Sequence, residues 1–416
     1  MKICGIIAEY NPFHNGHEYQ LKEAKNLTGC DYVVVCMSGD FVQRGLPAVG
    51  DKYSRAKAAL LAGADLVIEL PTIYATASAE YFAKGSIGLL NRLGCDDICF
   101  GSENGDIKLL ENTARAMDAA SEKYDDEIFS YIKNGMSYAK ALDEILTLHG
   151  RELGLEFIMS PKANDKLGIS YIRAINDLGS KMKPHAVKRL GDAYLDENGE
   201  NSKMPSAMAI RGKLKLCEDP WSIREYIPDY SYETLFEDKN RSCPMYPNDF
   251  SDMMYMSLKA ISACENAGER LTEYLDVSDN IAGKIQKNIN RFSSVDRFIT
   301  LIHSPEYTYS RIYRSLLHIM LDIKEDEVRD MLLDESSWYI RTLGFKKSSS
   351  GLLGELKKRT MCPIISKIAD SGNVLSGSAL KALKKDIYSA DLYEHAASRK
   401  FDRDFISEFE RSIVIL

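Results

Sequence analysis

The sequence has few of the features that mark secreted, metal-binding or membrane proteins. Its nine cysteines are scattered among 416 residues, and no two of them form a CxxC pair. This spacing favours free thiols in a reducing compartment over a disulfide framework. No apolar run approaches the roughly 18 residues that a membrane helix needs, and the run in MKICGIIAEY is too short for a signal peptide. We therefore expect a soluble, cytoplasmic protein with no membrane partner.

The chain also lacks an excess of positive charge. Lys and Arg total 53 against 61 Asp and Glu, which gives a formal net charge of −8. A surface that is basic throughout is thereby excluded, so any nucleic-acid site must be a local patch. The hydrophobic fraction of 45% is enough for at least one large core. The length favours two domains.

The first 100 residues carry the pattern of a parallel sheet covered by helices. Short continuous apolar runs alternate with amphipathic stretches, as in strands that are buried on both faces. The pattern predicts an α/β fold with a Rossmann-like, doubly wound parallel sheet. The predicted strands are Ile3–Ala8, Tyr32–Met37, Asp65–Glu69 and Asp97–Phe100, with further strands near Glu156–Met159 and His185–Leu190. The predicted helices are His17–Leu27, Lys52–Ala62 and Ser78–Leu93.

The second half is patterned differently. Residues 106–150 are predicted to be helical, and Pro205–Lys215 is predicted to be a loop that enters a helix. Beyond it, stretches with a 3.6-residue period dominate, such as Asp252–Asn266 and Thr308–Ile323, with a turn-rich connection at Cys243–Asp249. We therefore predict two domains, one over residues 1–215 and a mainly α-helical one over residues 216–416.

The sharpest chemical signal is AEYNPFHNGHEYQLKEA, residues 8–24, where the first strand ends and a helix begins. A helix N-terminus suits a phosphate, and His14 and His17 could both donate to phosphate oxygens as charge builds in an in-line displacement. Gly16 lets the backbone approach a nucleotide closely. The pair could instead decorate an exposed turn or bind a metal. Its position directly after the first strand of a doubly wound sheet favours a nucleotide.

The HxGH pattern resembles the nucleotidyltransferase superfamily, which includes cofactor adenylyltransferases and class I aminoacyl-tRNA synthetases. The wider sequence is similar to the tRNA(Met) cytidine acetate ligase family. The similarity extends over nearly the whole chain. It is carried by MSGDFVQRGLPAV (37–49), ADLVIELP (64–71), CFGSENGDI (99–107), YTYSRIYRSLLHIML (307–321) and YIRTLGF (339–345).

This resemblance implies a reaction in two steps. Acetate would attack ATP to give acetyl-adenylate and pyrophosphate, and the acetyl group would pass to the exocyclic amine of the wobble cytidine of elongator tRNA(Met). It implies Mg²⁺, an ATP-binding catalytic domain over 1–215, a tRNA-binding domain over 216–416, and catalytic roles for His14 and His17. The implied ATP-binding residues are Ile7, Ala8, Glu9, Tyr10, Asn11, Pro12, Phe13, His14, Asn15, Gly16, His17, Glu18, Tyr19, Gln20, Gly101, Asn164, Arg189 and Leu190, with Arg211 as a further candidate.

Three of these residues also have structural explanations. Gly101 could leave room for the nucleotide or only permit a positive φ angle. Asn164 could contact ribose or adenine, or only cap the helix near Lys166. Arg189 could hold a phosphate or lie on the surface of a strand.

A later loop departs from the superfamily pattern. Relatives carry an ISSTxIR-like loop whose hydroxyls contact phosphates, whereas this chain has Met208 and Ala209 where hydroxyls are usual. Ser206 and Arg211 are retained, and Ser206 could be a plain helix cap. The change could mean slower chemistry, or contacts supplied by FVQRG (41–45) instead.

The acetate site and the general base are left open by the sequence. Arg44, Gln43 or Asn11 could hold the carboxylate of acetate, and Glu9 or Asp40 could accept the amine proton. Asp40 and Arg44 could equally be surface loop residues.

Local basic clusters in the second half could follow an RNA backbone, with Tyr339 or Phe345 stacking on an unpaired base. Solvated helix faces look much the same. The clusters are Tyr307, Arg311, Arg314 and His318, and then Arg341, Lys346, Lys347, Lys357, Lys358 and Arg359.

Three other functions compete with the acetate ligase. A cofactor adenylyltransferase explains the two histidines but leaves about 200 C-terminal residues without a task. A non-catalytic, nucleotide-dependent RNA-binding protein fits the missing hydroxyls. An aminoacyl-tRNA synthetase fits least, because no KMSKS-like loop follows the sheet.

Overall fold

A computed structural model describes residues 1–133, 136, 138–154, 156–190, 204–238, 241–360 and 362–416. The strands are β1 (Ile3–Ala8), β2 (Tyr32–Ser38), β3 (Phe41–Val42), β4 (Leu46–Pro47), β5 (Leu66–Leu70), β6 (Asp97–Ser102), β7 (Lys183–Lys188), β8 (Ile340–Phe345), β9 (Ile364–Ile365) and β10 (Val414–Ile415). The α-helices are α1 (Asn15–Thr28), α2 (Lys52–Ala62), α3 (Thr72–Ala75), α4 (Ala79–Leu93), α5 (Ile107–Lys123), α6 (Asp125–Lys133), α7 (Tyr138–His149), α8 (Ala163–Asp177), α9 (Ala207–Cys217), α10 (Asp229–Tyr232), α11 (Ser251–Ser262), α12 (Ala267–Thr272), α13 (Asp279–Asn288), α14 (Val295–Ile302), α15 (Tyr309–Met320), α16 (Glu325–Leu333), α17 (Ser350–Arg359) and α18 (Gly377–Lys400).

The described strands form one large sheet and a small hairpin. The large sheet has the order β10-β8-β5-β2-β1-β6-β7, with β9 paired to β8, and β3 and β4 form the hairpin. Only β5 and β8 pair in antiparallel fashion within the large sheet. The central order β5-β2-β1-β6-β7 is that of a doubly wound sheet. Successive strands are added first on one side of β1, as β2 and β5, and then on its other side, as β6 and β7. The predicted fold class is thereby confirmed, and the sheet is mixed rather than wholly parallel.

The two faces of the sheet are both apolar, which explains the continuous apolar runs of its strands. Cys4 and Ile6 of β1 face a cluster that includes Leu21 of α1. Ile3 and Ile7, the alternate residues, face a larger cluster that includes Ile87 of α4. Because successive strand residues point to opposite faces, a strand covered on both sides has no polar positions to alternate.

The bounds of the early helices follow local capping signals. Asp51 accepts hydrogen bonds from the N–H groups of Tyr53 and Ser54 at the start of α2, and the side chain of Ser78 caps α4. Gly29 ends α1 in the left-handed conformation. These signals lie within a few residues of each helix end, so they can be found in the sequence.

The second half is mainly helical, as predicted, and it also adds β8 to the sheet beside β5. Helices of both halves pack in the same large apolar cluster, which includes Phe82 of α4 and Leu316 of α15. The division at residue 215 stays a prediction. In the part of the chain that the structure covers, every helix is too short or too polar to cross a membrane.

The predicted strand near Glu156–Met159 is wrong. Residues 156–158 form no regular structure and residues 159–160 form a bend. Phe157 packs close to Gly150, and the N–H of Ile158 donates to the Thr113 hydroxyl on α5. Phe157 and Ile158 are thus half-buried against helices, and not within the sheet, while Met159 is 52% exposed.

Candidate active site

The HNGH turn lies at the carboxyl end of β1, where the strand order of the sheet reverses. Ile7 and Ala8 end the strand, residues 9–14 form the turn, and residues 15–20 begin α1. Tyr10 has a φ of 49°, a left-handed conformation that redirects the chain out of the sheet. A Cβ atom on Gly16 would lie only 2.8 Å from Cε1 of His14. Glycine therefore lets the His14 imidazole fold back over the start of the helix.

The two histidines cap α1 reciprocally. The N–H of Gly16 donates to Nδ1 of His14 at 3.0 Å, and the N–H of His14 donates to Nδ1 of His17 at 3.3 Å. A nitrogen that accepts a hydrogen bond carries no proton, so each neutral ring must carry its proton on Nε2. The capping pattern therefore leaves both imidazoles with an Nε2–H donor.

Both rings are held in the neutral state. Burial lowers the pKa of His14 from 6.5 to about 3, with smaller effects from the charges of Arg189 and Arg211. Burial also holds the pKa of His17 well below 6.5, aided by His14 and Arg189. The positive charges of both arginines thus disfavour a protonated His14. Aromatic side chains pack against the imidazole pair, and the ring centroids of Tyr10 and His17 are 4.8 Å apart.

Gly101 and Asn164 lie on the neighbouring part of the sheet edge. Gly101 is in β6 and has no positive φ, and a Cβ there would meet only Cγ and Cδ of Arg189, at ordinary distances of 3.6 and 3.9 Å. The protein alone therefore gives no reason for glycine at this position. Asn164 lies in the first turn of α8 and donates through Nδ2 to Glu103. Glu103 also accepts from the N–H of Asp165, so Glu103, and not Asn164, satisfies the start of this helix.

Arg189 directly follows β7, and its backbone N–H donates to the carbonyl of Ser102 at 2.9 Å. Its side chain is half-buried and lies against Gly101, so the choice between a phosphate contact and a place on the surface of the strand stays a prediction. Leu190, the next residue, is 49% exposed. Tyr19 of the predicted set packs instead against the apolar cluster under the sheet.

Arg211 enters the site from α9. Its Nη1 donates to the backbone carbonyl of Asn11, and burial lowers its pKa. Ser206 accepts from the N–H of Ala209 at 3.3 Å, so it does cap α9. Met208 is 60% exposed on the preceding turn of the same helix.

The candidates for acetate and for the base have different surroundings. Glu9 is half-buried and accepts from the N–H of Gln43 at 3.1 Å, while the Gln43 side chain donates to the carbonyl of Ala77. The side chain of Asn11 accepts from the N–H of Val49 at 2.8 Å, which fixes Nδ2 as a buried donor that has no acceptor among the described residues.

Asp40 is buried, so the interpretation of Asp40 as a surface residue is wrong. It accepts from the N–H of Lys52 at 2.8 Å, and burial raises its pKa to about 7. Arg44 is exposed, as that interpretation expected.

Arg55 is a site-building residue that the sequence pattern did not reveal. It is fully buried and donates to the carbonyls of Glu9, Ser38 and Gly39, at the ends of β1 and β2, and to that of Gly50. A buried guanidinium with this many carbonyl acceptors fixes the strand ends. The only signal was its place in the amphipathic α2 pattern, which does not distinguish it from a surface arginine.

Several candidates for RNA contact are buried and thus wrong. Tyr339 is 1% exposed, and its hydroxyl donates to Asp386. Arg341 pairs with Glu69 inside the protein. Arg314 pairs with Asp276, and His318 is enclosed.

Lys346 and Arg359 of the second basic cluster lie at the amino ends of the parallel strands, unlike Arg341. The N–H of Lys346 donates to the carbonyl of Asp65, just before β5, and Arg359 donates to the carbonyl of Met1. Strands of this length span roughly 20 Å, so Lys346 and Arg359 are remote from the HNGH turn. Within the described residues, no group of three or more His, Cys, Asp or Glu side chains is arranged to hold a metal ion.

Known proteins share this architecture over the whole chain. Residues 1–405 match the family described as HIGH Nucleotidyl Transferase. A tRNA(Met) cytidine acetate ligase of Clostridium perfringens is 37% identical over 414 residues, 98% of each chain, and one of Acetivibrio thermocellus is 33% identical over 100% of each. The structure of Thermotoga maritima TmcAL bound with alpha-thio ATP has a TM-score of 0.89 at 28% identity and covers 100% of both chains. The chain therefore belongs to the HIGH nucleotidyltransferases and, among them, to the tRNA(Met) cytidine acetate ligase family.

Proposed function

We propose that this protein forms acetyl-adenylate from acetate and ATP and transfers the acetyl group to the exocyclic amine of the wobble cytidine of elongator tRNA(Met). The observation that carries the proposal is the reciprocal capping of His14 and His17, which leaves two neutral Nε2–H donors side by side where the strand order of the sheet reverses. Its near full-length similarity to acetate ligases selects this reaction among those of HxGH enzymes.

In the first step, a carboxylate oxygen of acetate attacks the α-phosphorus of ATP. The bond from that phosphorus to the bridging oxygen breaks, and pyrophosphate leaves with the electron pair. Neutral N–H donors stabilise the charge that develops on the phosphate oxygens without taking part in proton transfer. Their low pKa suits this role, because the imidazoles stay neutral throughout the physiological range.

The proposed nucleotide site extends from residues 7–20 to Gly101, Asn164, Arg189 and Leu190. Gly101 supports it most directly, since its hydrogen leaves a space that no neighbouring protein atom requires. For the carboxylate of acetate we propose Asn11, whose Nδ2 needs an acceptor, over Gln43, whose amide already donates to Ala77.

In the second step, the cytidine amine attacks the acetyl carbon, AMP leaves, and the amine loses one proton. We propose Glu9 as the acceptor of that proton, because it is half-buried at the end of β1, whereas Asp40 is held by the N–H and the ammonium group of Lys52. Magnesium would arrive on the triphosphate, since it prefers phosphate oxygens and water to a cage of protein ligands.

The RNA must approach along the rim of the HNGH turn. The segment that carries α9 and α10 packs on that turn, because Asn15 donates to the carbonyl of Tyr226 and Ser231 to that of Phe13. Trp221 of this segment is 67% exposed, so we propose it, in place of Tyr339, as a surface for stacking an unpaired base. The tRNA substrate implies a cytoplasmic location.

The test is mass spectrometry of nucleosides after unmodified elongator tRNA(Met) is incubated with protein, ATP, magnesium and labelled acetate. Labelled acetylcytidine at the wobble position is expected, together with its loss in His14→Ala and His17→Ala. His303→Ala is the matched control, since the ring of His303 stacks on Tyr309 and is not in contact with His14 or His17 among the described residues. Unmodified tRNA from a folded, ATP-binding protein would overturn the proposal in favour of a cofactor adenylyltransferase.

A further inference from the structure

The hairpin of β3 and β4 presents one arginine at its tip. Gln43, Arg44 and Gly45 form the turn between Phe41–Val42 and Leu46–Pro47. Gly45 has a φ of 74°, and any Cβ there would overlap the backbone of Arg314 on α15. Gln43 is tied to Glu9 through its N–H and to Ala77 through its side chain. The tip is thus fixed on both sides of Arg44.

Arg44 is exposed and is not neutralised. No carboxylate of the described residues lies within 4.0 Å of its guanidinium, and the contact of Nη1 is with the sulfur of Met208 at 3.7 Å. Its charge reaches Arg211, whose pKa it helps to lower, and Arg211 in turn affects His14. The charge of Glu9 acts on the pKa of Arg211 in the opposite direction. The half-buried Arg211 and the exposed Arg44 therefore form a positively charged region between the imidazoles and the solvent.

The contact with Met208 has a chemical meaning. Position 208 is where the superfamily loop usually offers a hydroxyl, and in this chain the hairpin brings a guanidinium to that side chain. Residues three apart on a helix share a face, so Met208 and Arg211 present a common surface to Arg44. We propose that Arg44, together with Arg211, binds the pyrophosphate half of ATP and replaces the missing hydroxyl contact. This inference rests on the proposed function.

The role follows from the charge that moves in the first step. When the bond from the α-phosphorus to the bridging oxygen breaks, that oxygen keeps the electron pair and the pyrophosphate gains negative charge. A guanidinium can bind two phosphate oxygens at once, which an isolated hydroxyl cannot. Arg44 thus stabilises the leaving group without contacting the acetyl group.

The experiment measures the binding of inorganic pyrophosphate and of AMP to the full chain by calorimetry. Arg44→Met should weaken pyrophosphate binding by about ten- to a hundredfold and leave AMP binding within about twofold. Arg44→Lys should lie between the two, because lysine retains the charge but not the fork. Arg115→Met, at an exposed arginine of α5, should change neither affinity.

A second substitution tests the replacement itself. Met208→Ser added to Arg44→Met should restore part of the pyrophosphate affinity, and no restoration would overturn the idea that the hairpin stands in for the hydroxyl. If Arg44→Met weakened tRNA binding and left pyrophosphate binding unchanged, Arg44 would be an RNA contact and the inference would be wrong. The binding measurements contain no acetate, so their outcome does not depend on the proposed reaction. A failure of the proposed reaction would be seen separately, as wild-type protein that releases no pyrophosphate when acetate and ATP are supplied.

Discussion

His14 and His17 lie with ring centroids 3.7 Å apart, and each accepts a backbone N–H through Nδ1. The same atoms therefore build the start of α1 and set the tautomers of the two rings. The two functions of His14 can be separated by substitution. The side-chain oxygen of asparagine can accept the helix N–H in place of Nδ1, but asparagine has no donor at the position of Nε2.

We accordingly expect His14→Asn and His14→Ala to lose activity alike but to differ in stability. Loss of a donor to the transition state should lower kcat for pyrophosphate release by about a hundredfold or more in both. Removal of the cap should cost about 1 kcal/mol in the alanine variant only. Steady-state kinetics and urea denaturation measure the two effects, and equal stability of the variants would contradict the capping role.

The histidine pair should also make stability depend on pH. Their pKa values are lower in the folded protein than in the unfolded chain, so the unfolded chain binds more protons in acid. Their contribution is complete above about pH 6.5 and is lost as the pH falls, for His14 toward about 3, at up to about 1.4 kcal/mol per pH unit for each ring. In denaturation curves at several pH values, wild type and the double variant His14→Asn/His17→Asn should therefore have similar free energies of unfolding near neutral pH and diverge in acid, where only wild type loses the contribution of the rings. Parallel curves would show that the rings are not held neutral.

Gly101→Ala tests whether the space beside Arg189 belongs to the nucleotide. Because a Cβ meets only an ordinary contact at 3.6 Å, the melting temperature without ligand should not fall. The KM for ATP should rise about tenfold or more, since the methyl group would enter the ligand space. Gly85→Ala is the contrasting variant, because its Cβ would overlap Tyr74 and destabilise the fold itself. Unchanged ATP binding in Gly101→Ala would place the nucleotide elsewhere.

Glu408→Gln tests the buried ion cluster beside the site. Glu408 binds both Lys52, at 2.7 Å, and Arg341, and its removal would leave two enclosed cations to share Glu69. We expect the free energy of unfolding to fall by about 3 kcal/mol or more. Glu335→Gln is the matched control, because Glu335 pairs with Arg92 while 83% exposed and should cost no more than about 1 kcal/mol. Urea denaturation compares them, and equal losses would contradict the burial argument.

The elements that were predicted well depend on neighbours in the sequence. The apolar run of β1 and the caps of α2 and α4 are local, and the predicted bounds of Ile3–Ala8 and Lys52–Ala62 agree with the structure. The HNGH turn was predicted correctly as the start of α1, because its signal also lies in neighbouring residues.

What could not be predicted depends on partners far along the chain. Arg341 looks like a surface cation until Glu69 and Glu408 are brought to it, and Arg314 until Asp276 is. The burial of Arg55 needs carbonyls from two strand ends. Glu156–Met159 shows the limit of short apolar runs, because periodicity alone does not tell a strand from a loop packed on helices.

The ion cluster has a consequence for the order in which the protein is made. Lys52 and Arg55 lie on the helix that supports the nucleotide turn, yet Lys52 meets Glu408 and β5 meets β8 only when the last part of the sequence has been synthesised. A nascent chain on the ribosome therefore carries the HNGH sequence long before the scaffold beneath it is complete. Synthesis of Glu408, and not of the motif, is therefore the earliest point at which the scaffold under the HNGH turn can be complete.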